Sequence, residues 1–282
     1  MPSHTVCELR DVSFTYPGAA AERGTKVRPA LSGITLSIKD GEWVALLGSN
    51  GSGKSTLAKH MNALLVPTQG DCIVYGMSTS DADHVPAIRN AVAMVFQNPE
   101  NQIVGTTVEE DTAFGPENQG LPPGDIARRV NDALAATGLR EKRQSPVYTL
   151  SGGEKQRLAV AGALALDSSC LVLDEPTAML DPQGRAQLLA VLAELHRGGK
   201  TLVSITHRLE EIIHCDRAIV LVRGTVAWEG AVPELFQSTE ALREWGIFIP
   251  PLAALWKDLH ARGITPLPSV PSLPEMVQAL CP

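Results

Sequence analysis

The chain shows no excess of positive charge. Its 282 residues include 24 basic and 31 acidic side chains, for a net charge of −7, and its Lys/Arg clusters are no longer than pairs. A protein that attracts nucleic acid through a broad basic field would carry the opposite balance. The charge therefore argues against a nucleic-acid partner and against a polybasic lipid anchor.

Long apolar runs are missing as well. The longest stretches without a charged residue, Trp245–Trp256 and Gly263–Pro274, have 12 residues each and contain proline. A membrane-spanning helix needs about 20 mostly apolar residues, and the N-terminal residues MPSHTVC lack the pattern of a signal peptide. The five cysteines are odd in number and never spaced as CxxC, which is typical of reduced thiols in a cytosolic protein. We expect a chain that does not cross a membrane alone.

Hydrophobic residues make up 44% of the chain, enough for a sizeable core. Strand-like apolar runs alternate with helical patterns, which predicts an α/β fold with a mostly parallel central sheet. Arg223-Gly224 has the character of a hairpin turn and indicates an additional antiparallel part. A helix is predicted from Gly53 to Leu65. The predicted strands are Val6–Tyr16, Gly33–Ile38, Trp43–Leu47, Cys72–Tyr75, Ala91–Phe96, Cys170–Leu173, Leu202–Ile205, Ala218–Val222 and Thr225–Trp228.

Two stretches depart from this alternation. Residues 97–165 combine prolines with amphipathic helical segments and no strand pattern, which predicts a helical insertion within a domain of residues 1–232. Residues 233–282 are helical in pattern and rich in proline. We expect them to form a small C-terminal extension.

The segment Gly48–Ser55, with the sequence GSNGSGKS, fits the pattern G-x-x-x-x-G-K-[ST]. Its glycines would let successive N–H groups point inward, and the helix that follows adds its positive dipole end. Lys54 would reach the β- and γ-phosphates of a nucleotide, and Ser55 would offer its hydroxyl to Mg²⁺. A Gly/Ser-rich turn without a ligand is the alternative, which the flanking strand and helix disfavour.

Two acids follow the apolar run Leu171–Leu173. A buried strand delivers its last residues to the sheet edge where α/β proteins bind ligands. Asp174 could hold Mg²⁺ there, and Glu175 could orient and deprotonate an attacking water. A strand that simply ends in charges is the alternative, which the phosphate loop makes less favourable.

The octet Leu150–Arg157, LSGGEKQR, is the most informative segment. Ser151 and Glu154 form an S-x-x-E capping box, so the segment could be only a good helix start. However, two glycines in the first turn cost about 1 kcal/mol each. They are reasonable if bare backbone must approach a ligand, because the serine hydroxyl and the glycine amides at a helix N-terminus form a second anion cradle.

With these elements the chain resembles the ATP-binding cassette (ABC) ATPases from about Val6 to Gly230. The resemblance implies that Tyr16 stacks on adenine, Gln97 senses Mg²⁺ and the attacking water, and His207 contacts the γ-phosphate. It also implies that the loop Ala178–Asp181 crosses to a partner subunit. Each of these signals alone also has a structural explanation: Tyr16 as core, His207 as a structural histidine, and Asp181-Pro182 as a helix N-cap.

The implied site residues fall into five groups. The catalytic residues are Glu175, His207 and Gln97. The residues that bind ATP within the chain are Tyr16, Gly48, Ser49, Asn50, Gly51, Ser52, Gly53, Lys54, Ser55 and Thr56. Those that bind the partner's ATP are Ser151, Gly152 and Gly153; those that hold Mg²⁺ are Ser55, Gln97 and Asp174; and Asp181 belongs to the dimer loop.

One chain carries one cradle of each kind, and in ABC proteins the signature of one subunit covers the ATP of the other. The resemblance therefore implies a dimer, of identical or paralogous subunits, that closes on two ATP molecules. The tract from Gln97 to Asn118 is similar to the ATPase subunits of energy-coupling factor (ECF) transporters. This similarity implies a peripheral protein on the cytoplasmic face of the membrane that powers uptake of a vitamin or transition-metal ion. Its partners would be a transmembrane T component and a substrate-binding S component, and the C-terminal extension would help dimerisation.

Other functions stay open at this point. An ATPase of an ordinary ABC importer differs only in the tract after Gln97. A soluble ABC ATPase for DNA repair or translation usually carries coiled-coil insertions or two cassettes, and a kinase or GTPase lacks the Leu150–Arg157 signature. Three features depart from the family pattern: Arg208 where Asp is frequent, a long loop Gly18–Pro29 beside Tyr16, and the proline-rich tail.

Overall fold

The structure is a computed structural model that describes residues 5–18, 28–237, 239–248, 251–264 and 273–280. The strands are β1 Thr5–Phe14, β2 Leu31–Lys39, β3 Trp43–Leu47, β4 Gln69–Val74, β5 Met77–Ser78, β6 Val92–Val95, β7 Cys170–Asp174, β8 Thr201–Ile205, β9 Arg217–Val222 and β10 Thr225–Ala231. The α-helices are α1 Lys54–Met61, α2 Val85–Ala91, α3 Val108–Asn118, α4 Pro123–Ala136, α5 Gly152–Ala165, α6 Pro182–Arg197, α7 Val232–Gln237, α8 Thr239–Glu244, α9 Pro251–Ala261 and α10 Leu273–Leu280. Short 3-10 helices lie at Ala82–His84, Pro99–Asn101, Arg140–Lys142, Val147–Thr149 and Leu209–His214.

Six strands form the central sheet in the order β10-β9-β3-β8-β7-β6. The five strands from β9 to β6 run parallel, and only β10 is antiparallel to its neighbour. Every residue of β3, β7 and β8 is buried, as continuous apolar strands covered on both faces should be. The carboxyl ends of these three adjacent strands therefore meet at one edge.

A second sheet covers one face of the first. Its strands have the order β2-β1-β4-β5 and pair antiparallel. Leu9, Ile34 and Val74 of this sheet share a buried core with Leu57 of α1 and Val172 of β7. The predicted α/β fold, a mostly parallel central sheet with an antiparallel part, is confirmed.

The stretch between β6 and β7 is described in full and contains helices but no strand of either sheet. Helices α3, α4 and α5 enclose a core of their own, which includes Val108, Leu134 and Leu158. Helix α5 also packs on the central sheet through Ala159 and Val160. Because α5 belongs to both cores, it joins the helical segment to the sheet.

The opposite face of the central sheet is covered by α5, α6 and the start of the C-terminal region. Leu235, Leu242 and Ile247 from that region are buried beside Trp43 and Val220. The C-terminal region thus extends the main core, at least as far as Ile247. Of the predicted long loop Gly18–Pro29, residues 19–27 lie outside the described residues.

The local predictions differ from the structure in two places. Helix α1 ends at Met61 instead of Leu65, because Ala63 adopts a left-handed φ of 53° and the amides of Leu64 and Leu65 turn back to the carbonyl of Lys59. The short strand β5 was not predicted, since two residues are too few for a detectable alternation.

Candidate functional site: a nucleotide site at the carboxyl edge of the sheet

The phosphate loop connects β3 to α1 and depends on three glycines with positive φ. The values are 142° at Gly48, 76° at Gly51 and 106° at Gly53. A Cβ atom on Gly48 would lie 2.2 Å from the carbonyl oxygen of Leu221, and one on Gly53 would lie 2.7 Å from that of Ala30. Any residue larger than glycine would therefore clash with the backbone at both positions. No side chain caps the N-terminus of α1, so its amides face the loop as an anion site.

Lys54 is buried inside this loop. Its Nζ donates hydrogen bonds to the carbonyl oxygens of Gly48 at 2.8 Å and Ser49 at 3.0 Å. Burial lowers the pKa of Lys54, while the charges of Glu175 and Asp174 act in the opposite direction. Two neutral carbonyl groups thus hold the Lys54 ammonium in place. A bound phosphate would supply the negative charge that stabilises this ammonium.

Asp174, the last residue of β7, faces the start of α1. Burial of its carboxyl group raises the pKa of Asp174, and a hydrogen bond from Ser55 offsets this rise only in part; the charge of Glu175 raises the pKa further, while that of Lys54 lowers it. The carboxylate of Asp174 and the hydroxyl of Ser55 are hard oxygen donors of the type that Mg²⁺ prefers. This donor pair fits a magnesium ion that keeps water and phosphate oxygens as its other ligands.

Two adjoining cavities surround these residues. One of about 390 Å³ is lined by Tyr16, Lys54, Ser55, Gln97 and Glu175, among others. The second, of about 330 Å³, shares Gln97 and Glu175 and adds His207. These residues come from five segments that are distant in sequence and meet at the carboxyl edge of the sheet, as expected for a ligand site of an α/β protein.

Glu175 and His207 make direct contact. Oε1 of Glu175 lies 3.3 Å from Nδ1 of His207, and the Glu175 side chain is mostly buried while that of His207 is half exposed. The two residues follow the neighbouring strands β7 and β8, whose ladder continues through a 3.0 Å bond from the Glu175 amide to the Ile205 carbonyl. A carboxylate in this position can accept a proton from a water molecule in the cavity.

Tyr16 stands at the rim of the first cavity, just beyond the end of β1. Its ring packs edge-on against Phe14 with centroids 4.9 Å apart, and its hydroxyl is 3.0 Å from the hydroxyl of Thr56. The residue is 41% exposed. Its placement leaves ring surface available to a nucleobase and ties Tyr16 to the first turn of α1.

Ser151, Gly152 and Gly153 lie at the start of α5, outside both cavities. Ser151 and Glu154 form the predicted capping box: the Glu154 amide donates to the serine hydroxyl at 3.3 Å, and the Ser151 amide donates to the glutamate at 2.9 Å. A Cβ atom on Gly153 would lie only 3.2 Å from the carbonyl oxygen of Met179. The two glycines therefore pack closely on the loop before α6.

That loop ends at Asp181, which caps α6 by accepting a 2.8 Å hydrogen bond from the Gly184 amide. The structural explanation of Asp181-Pro182 therefore holds. It does not exclude a second role, because Met179 in the same loop is 49% exposed. Asp181 does not line either cavity.

Sequence reasoning missed one part of the site. Gly246, Ile247 and Phe248, which follow α8, line the second cavity beside Ser49 and His207. A Cβ atom on Gly246 would lie 3.6 Å from that of Ser49, and Phe248 is 75% exposed. No local sequence pattern predicts this contact, because it arises only when the C-terminal helices pack on the sheet.

Within the described residues, none of the helices has the length and apolar character that a membrane span requires.

Comparisons with known proteins agree with this geometry. The family model described as "ABC transporter" matches residues 31–178. The energy-coupling factor transporter ATP-binding protein EcfA1 of Symbiobacterium thermophilum is 49% identical over 272 residues, covering 96% of this chain and 94% of that protein. Among solved structures, cbiO1 from Clostridium perfringens, described as part of the ABC transporter complex cbiONQ, is 33% identical with a TM-score of 0.73, covering 90% of this chain and 99% of that one. The dimeric ATP-binding cassette MJ0796 bound to ADP and Pi is 30% identical with a TM-score of 0.73, covering 80% of this chain and 98% of that one.

The chain belongs to the ABC transporter family, and its fold is the ABC-type P-loop fold. Within that family it is an ATPase subunit of the energy-coupling factor type, so the resemblance stated from the sequence is confirmed.

Proposed function

We propose that the chain binds ATP with Mg²⁺ and hydrolyses it to power uptake of a vitamin or a transition-metal ion through membrane partners. The observation that carries the proposal is the contact between Glu175 and His207 at the mouth of the phosphate-loop cavity. It places a candidate base and a candidate γ-phosphate ligand side by side. Homologues named EcfA1 and a cobalt import ATP-binding protein support the transport role.

Each residue at the sheet edge has a separate task in this proposal. The amides of Gly48–Ser55 and the ammonium of Lys54 bind the phosphates, and the ring of Tyr16 stacks on the adenine base of ATP. Ser55, Asp174 and Gln97 hold Mg²⁺, which neutralises phosphate charge when bound. Glu175 orients and deprotonates the water that attacks the γ-phosphate.

His207 contacts the γ-phosphate in this scheme. The half-exposed imidazole can turn toward the cavity that it shares with Ser49 and Gln97. Its contact with Glu175 keeps it close to the position where negative charge develops in the transition state. A donor fixed at that position lowers the barrier without reorganisation.

The second subunit completes the site. Ser151, Gly152 and Gly153 belong to the surface of the chain and do not line the cavities of the same chain. They would instead cover ATP held by a partner, with the Asp181 loop beside them. ATP can then stabilise a closed dimer only because both surfaces contact it there, and hydrolysis would reopen the dimer. The dimeric MJ0796 cassette supports this arrangement.

We assign the nucleotide chemistry to residues 1–232, with residues 97–165 as a helical insertion. Residues 233–282 would be a C-terminal extension that helps dimerisation. The exposed Phe248 at the rim of the second cavity supports this role, because it offers apolar surface to a partner that closes over this cavity.

The helical insertion offers a groove for a membrane partner, the proposed T component. A cavity of about 610 Å³ is lined by Ile103, Thr107, Val147, Tyr148 and neighbouring residues. Tyr148 is 85% exposed and Val104, beside the groove, is 62% exposed. Apolar side chains exposed along one groove suit a partner helix.

The walls of this groove are held firmly. Oδ1 of Asp111 accepts hydrogen bonds from the amides of Val104 at 2.7 Å and Gly105 at 2.9 Å. A capping box between Thr107 and Glu110 fixes the start of α3. The groove is therefore largely preformed, and docking would depend on protein contacts and not on lipid charge.

The groove is also joined to the signature helix. Lys155 on α5 lies 2.6 Å from Glu100 in the groove wall. The Gln102 side chain accepts a hydrogen bond from the Phe96 amide at 3.1 Å and donates one to the Ala159 carbonyl at 3.2 Å. Movement of a docked helix would therefore be passed to α5 and to the dimer surface.

Purification from detergent-solubilised membranes tests the proposal. The wild-type chain should bring down a second ATPase subunit, a T component and an S component. Tyr148→Glu should keep ATP binding but lose the T and S components, because a charge would be buried in the groove. Val66→Glu, which alters an exposed apolar residue outside the groove, should retain them. Recovery of an ordinary importer permease instead of T and S components would contradict the transport assignment.

A further inference from the structure

Glu211 is a buried acid that the proposed mechanism does not use. It lies on the 3-10 helix Leu209–His214 and is only 5% exposed. Its Oε1 accepts a 2.7 Å hydrogen bond from the Thr177 hydroxyl, and its Oε2 accepts a 2.8 Å hydrogen bond from the Thr206 hydroxyl. One carboxylate thus connects two segments that leave neighbouring strands.

Both threonines stand beside the catalytic side chains. Thr206 immediately precedes His207 after β8, and Thr177 follows Glu175 by two residues after β7. The carboxylate of Glu211 therefore fixes the backbone on which Glu175 and His207 are mounted. The 3.3 Å contact between Glu175 and His207 therefore lies between the same two segments that Glu211 joins.

The backbone at Glu175 needs such support. Its φ is 49°, in the left-handed region that a residue with a Cβ occupies only at a cost. Strained conformations of this type persist only where the surroundings over-determine them. The bond from the Glu175 amide to Ile205 and the bond from Thr177 to Glu211 act on either side of the strained residue.

The charges around Glu211 explain how an acid is kept at this position. Nε of Arg185 on α6 lies 3.5 Å from its carboxylate, and Nε of Arg208 lies 3.9 Å away. A buried carboxylate is costly unless it is paired and hydrogen-bonded. Here the carboxyl group is both paired and hydrogen-bonded, since each of its two oxygens accepts from a threonine hydroxyl.

The direction of one hydrogen bond is fixed by a neighbour. The Arg208 amide donates to the Thr206 hydroxyl oxygen at 3.1 Å. The hydroxyl proton of Thr206 is therefore free to point at Glu211. A glutamine at position 211 has the same shape, but it offers an NH₂ group to one of the two threonines and cannot accept from both.

We propose that Glu211 is a positioning residue for ATP hydrolysis, which holds Glu175 and His207 in register through Thr177 and Thr206. This inference rests on the proposed roles of Glu175 and His207. It predicts that Glu211 acts on the chemical step and not on nucleotide binding, since none of its contacts reaches the phosphate loop.

The test compares hydrolysis by full-length variants. Glu211→Gln, Thr177→Val and Thr206→Val should each lower kcat about tenfold or more, because small displacements of catalytic groups are costly. The KM for ATP should stay within about twofold of the wild-type value, because these substitutions leave the residues that bind ATP in the ground state unchanged. Thr177→Ser and Thr206→Ser keep the hydroxyl and should keep kcat. Glu210→Gln alters the neighbouring, half-exposed acid and should behave like the wild type.

Rates are expressed per bound ATP, so that unfolded protein does not count. A wild-type kcat in Glu211→Gln would overturn the inference. So would a loss of activity in which kcat per bound ATP is unchanged, because that would show a purely structural role. Glu175→Gln, assayed in parallel, separates the two proposals: if it hydrolyses ATP normally the proposed mechanism fails, and if only Glu211→Gln is harmless the mechanism stands without this inference.

Discussion

Nδ1 of His207 lies 3.3 Å from Oε1 of Glu175, at the point where β7 and β8 deliver neighbouring residues to the carboxyl edge of the sheet. The glutamate is mostly buried and the histidine is half exposed. One residue is therefore shielded and fixed, whereas the other can change its contact when a phosphate enters. In the proposed mechanism, this contact lets the two residues, which follow different strands, act together on one phosphate group.

Replacing His207 by alanine should slow hydrolysis without weakening ATP binding. Removal of one preorganised donor from a developing charge costs about a hundredfold or more in kcat. Steady-state hydrolysis and equilibrium ATP binding measure the two effects separately. His84→Ala removes a partly exposed histidine that lines neither cavity, and it serves as the control. Equal losses in both variants would contradict a direct role of His207.

Tyr16→Ala should weaken ATP binding about tenfold, because base–aromatic stacking is worth roughly 1–3 kcal/mol. Tyr16→Phe keeps the ring and loses only the bond to Thr56, so it should bind nearly as well as the wild type. Titration with a fluorescent ATP analogue measures both affinities. If the phenylalanine variant lost as much affinity as the alanine variant, the hydroxyl and not the ring would be the important group.

Gly153→Ala should reduce hydrolysis about tenfold or more while the chain still binds ATP through its own phosphate loop. The new Cβ would lie 3.2 Å from the Met179 carbonyl and displace the loop that we propose to face the partner. Gly162→Ala, in the same helix, meets nothing within 4 Å. It should keep activity and gain up to about 1 kcal/mol of stability from helix propensity, as measured by urea unfolding. Weaker ATP binding in Gly153→Ala would contradict action on the partner's site.

Glu154 should make the stability of the chain depend on pH in the acid range. Its hydrogen bond with Lys142, assisted by the Ser151 amide, lowers the pKa of Glu154 to about 2. Because the folded pKa is depressed, this stabilisation is complete above the unfolded value of about 4.3 and is lost as the pH falls toward about 2. Glu154→Gln should therefore unfold at lower urea concentration than the wild type near neutral pH, and the difference should narrow on acidification. A difference that stays constant down to about pH 3 would contradict this origin.

The part of the site that could be predicted depends on local physics. Gly48–Ser55 is recognisable because its glycines, lysine and serine lie within eight consecutive residues. Asp174-Glu175 is recognisable because a fully buried strand ends there. The end of α1 could not be predicted, since the left-handed turn at Ala63 involves no glycine.

The remaining parts of the site depend on tertiary packing. Phe248 reaches the second cavity only because α7 and α8 pack on the sheet. Glu211 joins Thr177 and Thr206 only because β7 and β8 are neighbours, whereas 30 residues or so separate Thr177 from Thr206 along the chain. Such contacts carry no periodic or motif signal, so a single sequence cannot show them.

In the proposed function, Glu175 is the base of an ATPase that works as a closing dimer. Glu175→Gln keeps the shape of the side chain but removes its capacity to accept a proton. We expect this variant to bind ATP like the wild type, to hydrolyse it hardly at all, and to accumulate as a dimer in size-exclusion chromatography with Mg²⁺-ATP. Wild-type turnover by this variant would contradict the proposed role of Glu175.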